Sequence, residues 1–264
     1  ADPIPVGVVG KDDAGKMILR ILKDAAIDTK HILIEKDYDT PVKTRILAGE
    51  ETTRKQQILR IDRESKVPEK PLLKQRLQKT LKELKTKSEA LLISDYDYNC
   101  VKEDVFRRII SDYKRARIPV ALDSRFRLLS FKTVTAITPN EPEVEEALKL
   151  RLDDDGEALK KAGRTLLKQS EAECIVITRG SQGMALFEKK KSPYLIPIFG
   201  TNNIVDVTGA GDTVISVFSL ALASGASYRE AALLANYAGG LVVMKKGTAT
   251  LTPEELQKAV ESIK

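Results

Sequence analysis

The sequence predicts an α/β protein with a mostly parallel central β-sheet and a small second sheet. Between residues 90 and 178, short strands that are apolar throughout alternate with amphipathic helices, a pattern typical of a parallel sheet covered by helices on both faces. Residues 40–62 instead alternate apolar and charged side chains, which is typical of strands with one face in water. The chain has 264 residues, 42% of them hydrophobic, so it is long enough for a full core. We see no repeat or linker and expect one domain over residues 1–264.

The first third predicts a strand, a helix and then the small sheet. A short buried strand is expected at residues 6–10, a helix at 14–25 and a second short strand at 31–34. The helix carries Met17, Ile18, Ile21 and Leu22 on one face. Residues 40–48 and 57–62 predict the two strands of a hairpin, joined by a polar loop at 49–55.

The rest of the chain predicts the parallel sheet and its helices. Strands are expected at residues 90–94, 119–123, 133–138 and 174–178, with helices at 72–85, 102–116, 141–149 and 155–169. The last third predicts strands at 184–187 and 194–198 and helices at 210–224, 228–245 and 253–263. Thr252 is the expected N-cap of the last helix.

Composition excludes several classes of function. The net charge of +6 is mild, the basic residues are interleaved with acidic ones, and the chain has no Trp, so nucleic-acid binding is not indicated. No apolar run approaches the ~20 residues that span a bilayer. The two cysteines are far apart, which favours a reduced, cytoplasmic setting. His31 is the single histidine, so any general base is expected to be a carboxylate.

Polar residues follow four of the predicted parallel strands, and ligands gather at this edge of such sheets. Each pair or triplet taken alone is equally well explained by the polarity of loops. The four segments are Ser94-Asp95, Asp123-Ser124-Arg125, Thr138-Pro139-Asn140 and Thr178-Arg179-Gly180.

Residues 206–212, with the sequence DVTGAGD, form the strongest motif, and a helix follows them directly. Two glycines let the backbone approach a ligand, and the N–H groups at a helix start bind anions. Asp212 lies in the first turn, beside any phosphate held there, where it would serve as the base that phosphoryl transfer needs. The spacing alone is also compatible with an ordinary glycine-rich turn.

The motif resembles the C-terminal signature of the ribokinase-like, or PfkB, carbohydrate kinases. Three further segments are similar to family motifs and follow in the family's order: NEPE at 140–143, TRGSQG at 178–183, and NYAGG with KGTAT at 236–250. The resemblance implies a ribokinase-like three-layer sandwich with a mostly parallel central sheet and a small β lid. It also implies ATP-dependent phosphorylation of a sugar or sugar phosphate, with Mg²⁺ as cofactor.

The resemblance implies a role for each matched residue. Asp212 is the base, the N–H groups of Gly209, Ala210 and Gly211 hold the transferred phosphate, and Asn140 and Glu143 position the metal. The residues implied to bind ATP are Asn140, Thr178, Gly180, Gly183, Asp206, Thr208, Asn236, Gly239 and Gly247.

Within this family, the segments at 42–45, 56–62 and 94–96 are most similar to the heptose 7-phosphate kinase branch. This similarity implies a lid at about residues 40–62 that closes over the sugar. The expected substrate contacts are Lys43, Arg45, Arg60 and Asp95. The resemblance also suggests a homodimer through the lid and a monovalent cation (K⁺).

The sequence departs from the family at its start, because it begins after the family's first strand and its Gly-Gly substrate motif. We expect about 60 residues to precede Ala1, an estimate from the size of an ordinary βαβ unit. The alternative is a protein that is incomplete for catalysis. Residues 97–100 and Arg125 also differ from the branch, which leaves the exact substrate open.

Two other functions remain as alternatives. One is a nucleotide-binding pseudokinase or regulatory module without catalysis. The other is a P-loop NTPase, because residues 10–17 (GKDDAGKM) nearly fit that spacing. Met17, however, stands where a hydroxyl should hold magnesium.

Overall fold

The computed structural model describes residues 1–49, 56–152, 156–200 and 205–262, and these form two compact units. The first unit comprises Ala1–Glu83 with Asp97–Lys102, and the second comprises Leu84–Tyr96 with Glu103–Lys264. This division does not test the expectation of a single domain, which stays a prediction. Most of the predicted loop at 49–55 lies outside the described residues, as does Asp155 at the start of a predicted helix.

The first unit contains two small sheets. Strand β1 (Gly7–Gly10) pairs in parallel with β2 (Ile32–Glu35), and helix α1 (Asp13–Asp24) connects them. Strands β3 (Val42–Ala48) and β4 (Gln56–Arg63) form the predicted antiparallel hairpin, and α2 (Pro71–Leu84) follows. Tyr38, Val67 and Leu73 are buried together in this unit.

The start of α1 is packed against its own unit, which weighs against the P-loop alternative. The carboxylate of Asp12 accepts hydrogen bonds from the backbone N–H of Gly15 at 2.7 Å and of Thr40 at 2.6 Å. A Cβ added to Gly10 would lie 2.2 Å from the carbonyl oxygen of Tyr38. An acidic side chain therefore occupies the Gly15 N–H, one of the donors that a P-loop would offer to a phosphate.

The second unit is built on a six-stranded sheet in the order β10-β9-β8-β7-β6-β5. Its four parallel strands are β5 (Leu91–Asp95), β6 (Val120–Ser124), β7 (Ala136–Ile137) and β8 (Cys174–Thr178). Strands β9 (Met184–Glu188) and β10 (Tyr194–Ile196) extend it in antiparallel fashion. The helices are α3 (Glu103–Arg115), α4 (Glu141–Leu148), α5 (Gly156–Ser170), α6 (Ala210–Ala223), α7 (Tyr228–Val242) and α8 (Pro253–Glu261). The predicted α/β class with a mostly parallel sheet is confirmed.

Helices cover both faces of this sheet. Cys174 and Val176 of β8 belong to one buried cluster with residues of α6 and α7. Because side chains alternate along a strand, Ile175 and Ile177, which are also buried, point to the other face. On that face α5 approaches β9 so closely that a Cβ on Gly163 would lie 2.4 Å from the Phe187 ring.

Two predicted elements are shorter by three or more residues than the sequence pattern indicated. The strand expected at 133–138 is paired only at Ala136–Ile137, since Thr133 has a left-handed φ of 63° and Pro139 has no N–H to continue the ladder. The helix expected to reach residue 245 ends at Val242. The carbonyl of Val243 accepts instead from the N–H groups of Val205 and Asp206.

Both cysteines are free thiols, Cys100 being partly buried and Cys174 buried. Among the described residues, none of the helices combines the length and apolarity that crossing a bilayer requires.

Candidate active site

The carboxyl ends of the parallel strands meet at one edge of the second unit's sheet. Ser94 pairs with Asp123 and Asp95 with Ser124 in the β5–β6 ladder. Asn140, just after β7, forms an isolated parallel bridge with Thr178 at the end of β8. The structure thus brings together the four polar strand ends that the sequence placed in separate loops.

Helix α6 begins at this edge, immediately after the glycine motif. Gly209 is its N-cap, with a left-handed φ of 83° that favours glycine. The N–H of Thr208 donates to Asp206 Oδ1 at 2.9 Å, which folds the turn before the helix. Asp212 lies exposed in the first turn. The N–H of Ala210 donates to the carbonyl of Val207 at 3.2 Å, so it must exchange this partner to bind a phosphate.

Two segments nearer the C-terminus contact the glycine motif and the residue before it. The carbonyl of Val243, at the end of α7, accepts hydrogen bonds from the N–H groups of Val205 and Asp206 at 2.8 and 3.1 Å. A Cβ on Gly209 would lie 3.4 Å from the methyl of Thr248, which places residues 247–250 beside the motif. Gly247 is also left-handed, with φ of 71°.

The predicted metal residues cap helix α4. Asn140 Oδ1 accepts from the N–H of Glu143, and Glu143 Oε2 accepts from the N–H of Asn140, both at 2.9 Å. This capping box fixes both side chains at the sheet edge. Beside it, the buried Oγ1 of Thr138 has no hydrogen-bond partner among the described residues. This hydroxyl is therefore available to donate or accept a hydrogen bond.

The predicted nucleotide-binding turn follows β8. Gly180 has φ of 52° with open space around its α-carbon, and Gly183 has φ of 80° with the carbonyl of Ile196 where a Cβ would be. Arg179 Nε donates to Glu141 Oε1 at 2.8 Å, which joins this turn to α4. Gly180 is therefore the glycine of this turn that leaves room for a ligand.

Carboxyl groups accumulate at the same edge and oppose one another's ionisation. Burial raises the pKa of Asp123 to about 7, and the charges of Glu143, Asp212 and Asp95 act in the same direction. Burial also raises the pKa of Glu143 above its ordinary value. Such shifts arise at sites prepared for a cation or a proton. Asp123 was noted only as a strand end in the sequence, and no spacing rule links it to residues 143 and 212.

Asp95, an expected substrate contact, is buried and already bonded. The guanidinium of Arg127 donates from Nη2 to Asp95 Oδ1 at 2.5 Å and from Nε to Oδ2 at 3.1 Å. The hydroxyl of Ser124 also donates to Oδ2, at 2.7 Å. Its direct contact with substrate stays a prediction. The hydroxyl of the next residue, Tyr96, donates a hydrogen bond to Asp212 Oδ1 at 3.3 Å, and no sequence pattern predicts this contact.

The magnesium expectation fits this edge through the chemistry of its donors. Among the residues that the structure describes, no three His, Cys, Asp or Glu side chains converge to hold a metal ion. Mg²⁺, however, keeps several waters and is commonly bound through one or two carboxylates and substrate phosphates. Such a site is compatible with the partly buried Glu143, with Asp123, whose pKa is raised, and with the hydroxyl of Thr138, which has no partner among the described residues.

The other predicted nucleotide residues lie in α7. Asn236 is buried and donates from Nδ2 to the carbonyl of Pro197 at 2.9 Å. Gly239 is buried, and a Cβ there would lie 2.9 Å from Val214 Cγ2 on α6. These contacts give both residues a packing role, and their contact with nucleotide stays a prediction.

The basic substrate candidates belong to the first unit and share one face of the β3–β4 hairpin. Lys43 pairs with Asp62 and Arg45 with Arg60 in the antiparallel ladder, and side chains of directly opposite residues point to the same side. Arg60 Nη2 lies 3.0 Å from Asp62 Oδ2, and Lys43 Nζ lies 3.5 Å from Glu64 Oε1. Two arginines directly opposite each other repel. Binding of an anion between them would reduce this repulsion, so the face favours anion binding.

Comparison with known proteins identifies a family and its members. Residues 5–255 match the model of the "pfkB family carbohydrate kinase". The chain is 35% identical over 250 residues to Bifunctional protein HldE of Geobacter sulfurreducens, covering 94% of this chain and 50% of that protein. It is 34% identical over 261 residues to the Haemophilus influenzae protein of the same name, covering 97% and 52%. The chain therefore spans about half the length of these relatives.

Solved structures share the fold. Ribokinase from Giardia lamblia has a TM-score of 0.77 at 21% identity, covering 98% of this chain and 82% of its own. The Arabidopsis thaliana ribokinase complexed with ribose and ATP has a TM-score of 0.74 at 21% identity, covering 97% and 81%. Phosphofructokinase-2 from Escherichia coli in complex with potassium has a TM-score of 0.76 at 17% identity, covering 97% and 80%. The predicted ribokinase-like fold is confirmed.

Proposed function

Because this chain belongs to the pfkB family of carbohydrate kinases, we propose that it transfers the γ-phosphoryl group of ATP to a hydroxyl of a sugar or sugar phosphate. The observation that carries the proposal is the start of α6, where an exposed Asp212 follows a left-handed glycine turn at the carboxyl edge of the sheet. A helix start offers N–H donors to phosphate, and the carboxylate beside them is available as a base.

In the proposed reaction Asp212 takes the proton from the acceptor hydroxyl. The hydroxyl oxygen then bonds to the γ-phosphorus in line, the bond to the β,γ-bridging oxygen breaks, and ADP leaves. The N–H groups of Gly209, Ala210 and Gly211 stabilise the charge on the transferred group. ATP lies along the strand ends, where Thr178, Gly180 and residues 247–250 would contact it.

Asn140 and Glu143 would hold magnesium through its waters, with Asp123 nearby. When bound, Mg²⁺ neutralises charge on the phosphates. Asp206 and Thr208, with Gly247, are the candidates to line a monovalent cation site next to the motif. These assignments are inferred from the positions of the named residues near the carboxyl edge of the sheet.

The proposed substrate is a sugar phosphate of the heptose 7-phosphate type. It is supported by the basic face of the hairpin, where Lys43, Arg45 and Arg60 offer donors suited to a phosphate. It is also supported by the identity to proteins named HldE. We further propose that the chain acts in the cytoplasm, where ATP is available and its free cysteines stay reduced.

We also propose that two chains associate through the hairpin. Its second face carries Ile46, Leu59 and Ile61, which are 46%, 49% and 52% exposed. An apolar cluster of this kind on a two-stranded sheet is typical of an interaction surface.

The test is an assay of the chain with ATP, Mg²⁺ and a panel of sugars, each with its phosphorylated counterpart. We expect Asp212→Asn to lower kcat by about 10²–10⁴, since it removes the base. Asp13→Asn is the matched control, because Asp13 is also an acid in a first helix turn and pairs with exposed Lys16 at 3.0 Å. We expect it to keep the kcat of the parent chain.

Three outcomes separate the alternatives. ATP binding without product from any panel member favours a regulatory module. Loss of nucleotide binding in Lys16→Ala favours the P-loop. A kcat of Asp212→Asn close to that of the parent chain contradicts the assignment of the base.

A further inference from the structure

The hydroxyl of Tyr96 contacts the candidate base within the second unit. Tyr96 directly follows β5, and its hydroxyl donates to Asp212 Oδ1 at 3.3 Å. This is longer than the 2.7–2.8 Å common for such bonds, and hydrogen bonds in catalytic sites often tighten when substrate binds. The contact joins the end of β5, an edge strand of the sheet, to the first turn of the proposed anion-binding helix α6.

Tyr96 acts as a donor over the whole working pH range. Burial raises its pKa to about 12, and the neighbouring charges of Asp212, Asp123 and Glu143 act in the same direction. These acids lie on α6, at the end of β6 and on α4. The hydroxyl therefore keeps its proton.

The strand end that carries Tyr96 is fixed by its neighbour. Asp95 is buried and accepts hydrogen bonds from Arg127 on both carboxylate oxygens. The Arg127 guanidinium also lies 5.3 Å from the centroid of the Phe131 ring. A bidentate, stacked arginine has little rotational freedom, so the backbone at Asp95 presents Tyr96 in one direction.

We propose that Tyr96 is a positioning residue for Asp212, holding Oδ1 of the carboxylate so that Oδ2 faces the acceptor hydroxyl. The catalytic consequence rests on the proposed kinase function. The proton of the acceptor moves to Asp212 and that of Tyr96 stays in place, so no further reactant is needed. The value of the contact lies in orientation, since a reacting base must be held in one geometry.

The kinetic test compares Tyr96→Phe with Tyr228→Phe. Tyr228 is a matched control in the same unit, because its hydroxyl donates to Glu173 Oε2 at 2.6 Å at the opposite ends of the strands. We expect Tyr96→Phe to lower kcat by about two- to tenfold, the effect of losing one hydrogen bond, with KM for ATP unchanged. Tyr228→Phe should leave both values as in the parent chain. An unchanged kcat in Tyr96→Phe would overturn the positioning role.

A second test does not depend on activity. With tyrosine labelled at the ring carbon bearing the hydroxyl, NMR follows the ionisation of each Tyr, and Tyr96→Phe assigns the signal. We expect Tyr96 to ionise at lower pH in Asp212→Asn than in the parent chain, because one of the charges that raise its pKa is gone. An unchanged titration would overturn the contact. If no sugar is phosphorylated but this shift occurs, the kinase proposal fails while the contact stands.

Discussion

At the scale of single residues, Asp123 shows how burial and neighbouring carboxylates at this sheet edge raise the pKa of an acid. Its carboxyl is partly buried, and its pKa of about 7 results first from burial and then from Glu143, Asp212 and Asp95. In an unfolded chain the carboxyl would have its ordinary pKa of 3.8. A raised pKa of an acid stabilises the fold below the unfolded value, and this contribution is lost as the pH rises through the folded value.

We therefore predict that Asp123→Asn gains stability relative to the parent chain as the pH rises. Asn cannot ionise, so the difference in unfolding free energy should favour the variant by about 2–3 kcal/mol more at pH 8 than at pH 5. Urea unfolding followed by far-UV circular dichroism measures it, since the chain has no Trp. EDTA in the buffer keeps divalent cations from neutralising the cluster. A difference that is the same at both pH values would contradict the prediction.

The geometry of the candidate site was predictable from the sequence where its residues are neighbours along the chain, while their roles stay predictions. Asp212 with its glycine turn, and Asn140 with Glu143 three residues later, form local structures that depend on their spacing. Tyr96 meets Asp212 across 116 residues, and such a contact depends on which strand packs under which helix. The spacing of residues along the sequence does not predict which strand and helix pack together.

At the scale of elements, the packing of α7 on α6 fixes the position of α6, the proposed anion-binding helix. Gly239 of α7 faces Val214 of α6, and a Cβ there would lie 2.9 Å from Val214 Cγ2. Both residues are buried. The close approach needs glycine at this point, although glycine weakens a helix interior by about 1 kcal/mol relative to alanine.

We predict that Gly239→Ala destabilises the chain through this contact. Overpacking costs about 1–3 kcal/mol, which exceeds the gain in helix propensity. Combined with Val214→Ala, the loss should be smaller than the sum of the two single losses, because the smaller side chain makes room. Urea unfolding of the four chains gives the coupling energy, and additive losses would contradict the packing role. Nucleotide affinity measured on the same chains tests the predicted contact of Gly239 with ATP.

Element types were predictable because the apolar patterns are long and regular, whereas two boundaries were not. The apolar run of α7 continues past Val242, yet the helix ends there and the carbonyl of Val243 accepts hydrogen bonds from the N–H groups of Val205 and Asp206. The apolar run at 133–138 is interrupted by the left-handed Thr133. In both cases long-range backbone bonds or local strain override the periodicity.

At the scale of the whole molecule, the hairpin of the first unit has two chemically different faces. One carries Lys43, Arg45 and Arg60, and the other carries Ile46, Leu59 and Ile61. The first suits an anionic substrate and the second a protein surface. The sequence predicted the alternation, while the register that sorts the side chains came from the structure.

We predict that the apolar face holds two chains together. Leu59→Ser with Ile61→Ser should raise the dissociation constant of a dimer by about a hundredfold or more, since each side chain is lost on both partners. Leu72→Ser is the control, because Leu72 is 63% exposed and lies in α2 of the same unit, outside the hairpin. Sedimentation velocity over a range of concentrations measures the effect. A parent chain that stays monomeric, or equal dissociation by Leu72→Ser, would exclude this face as the interface.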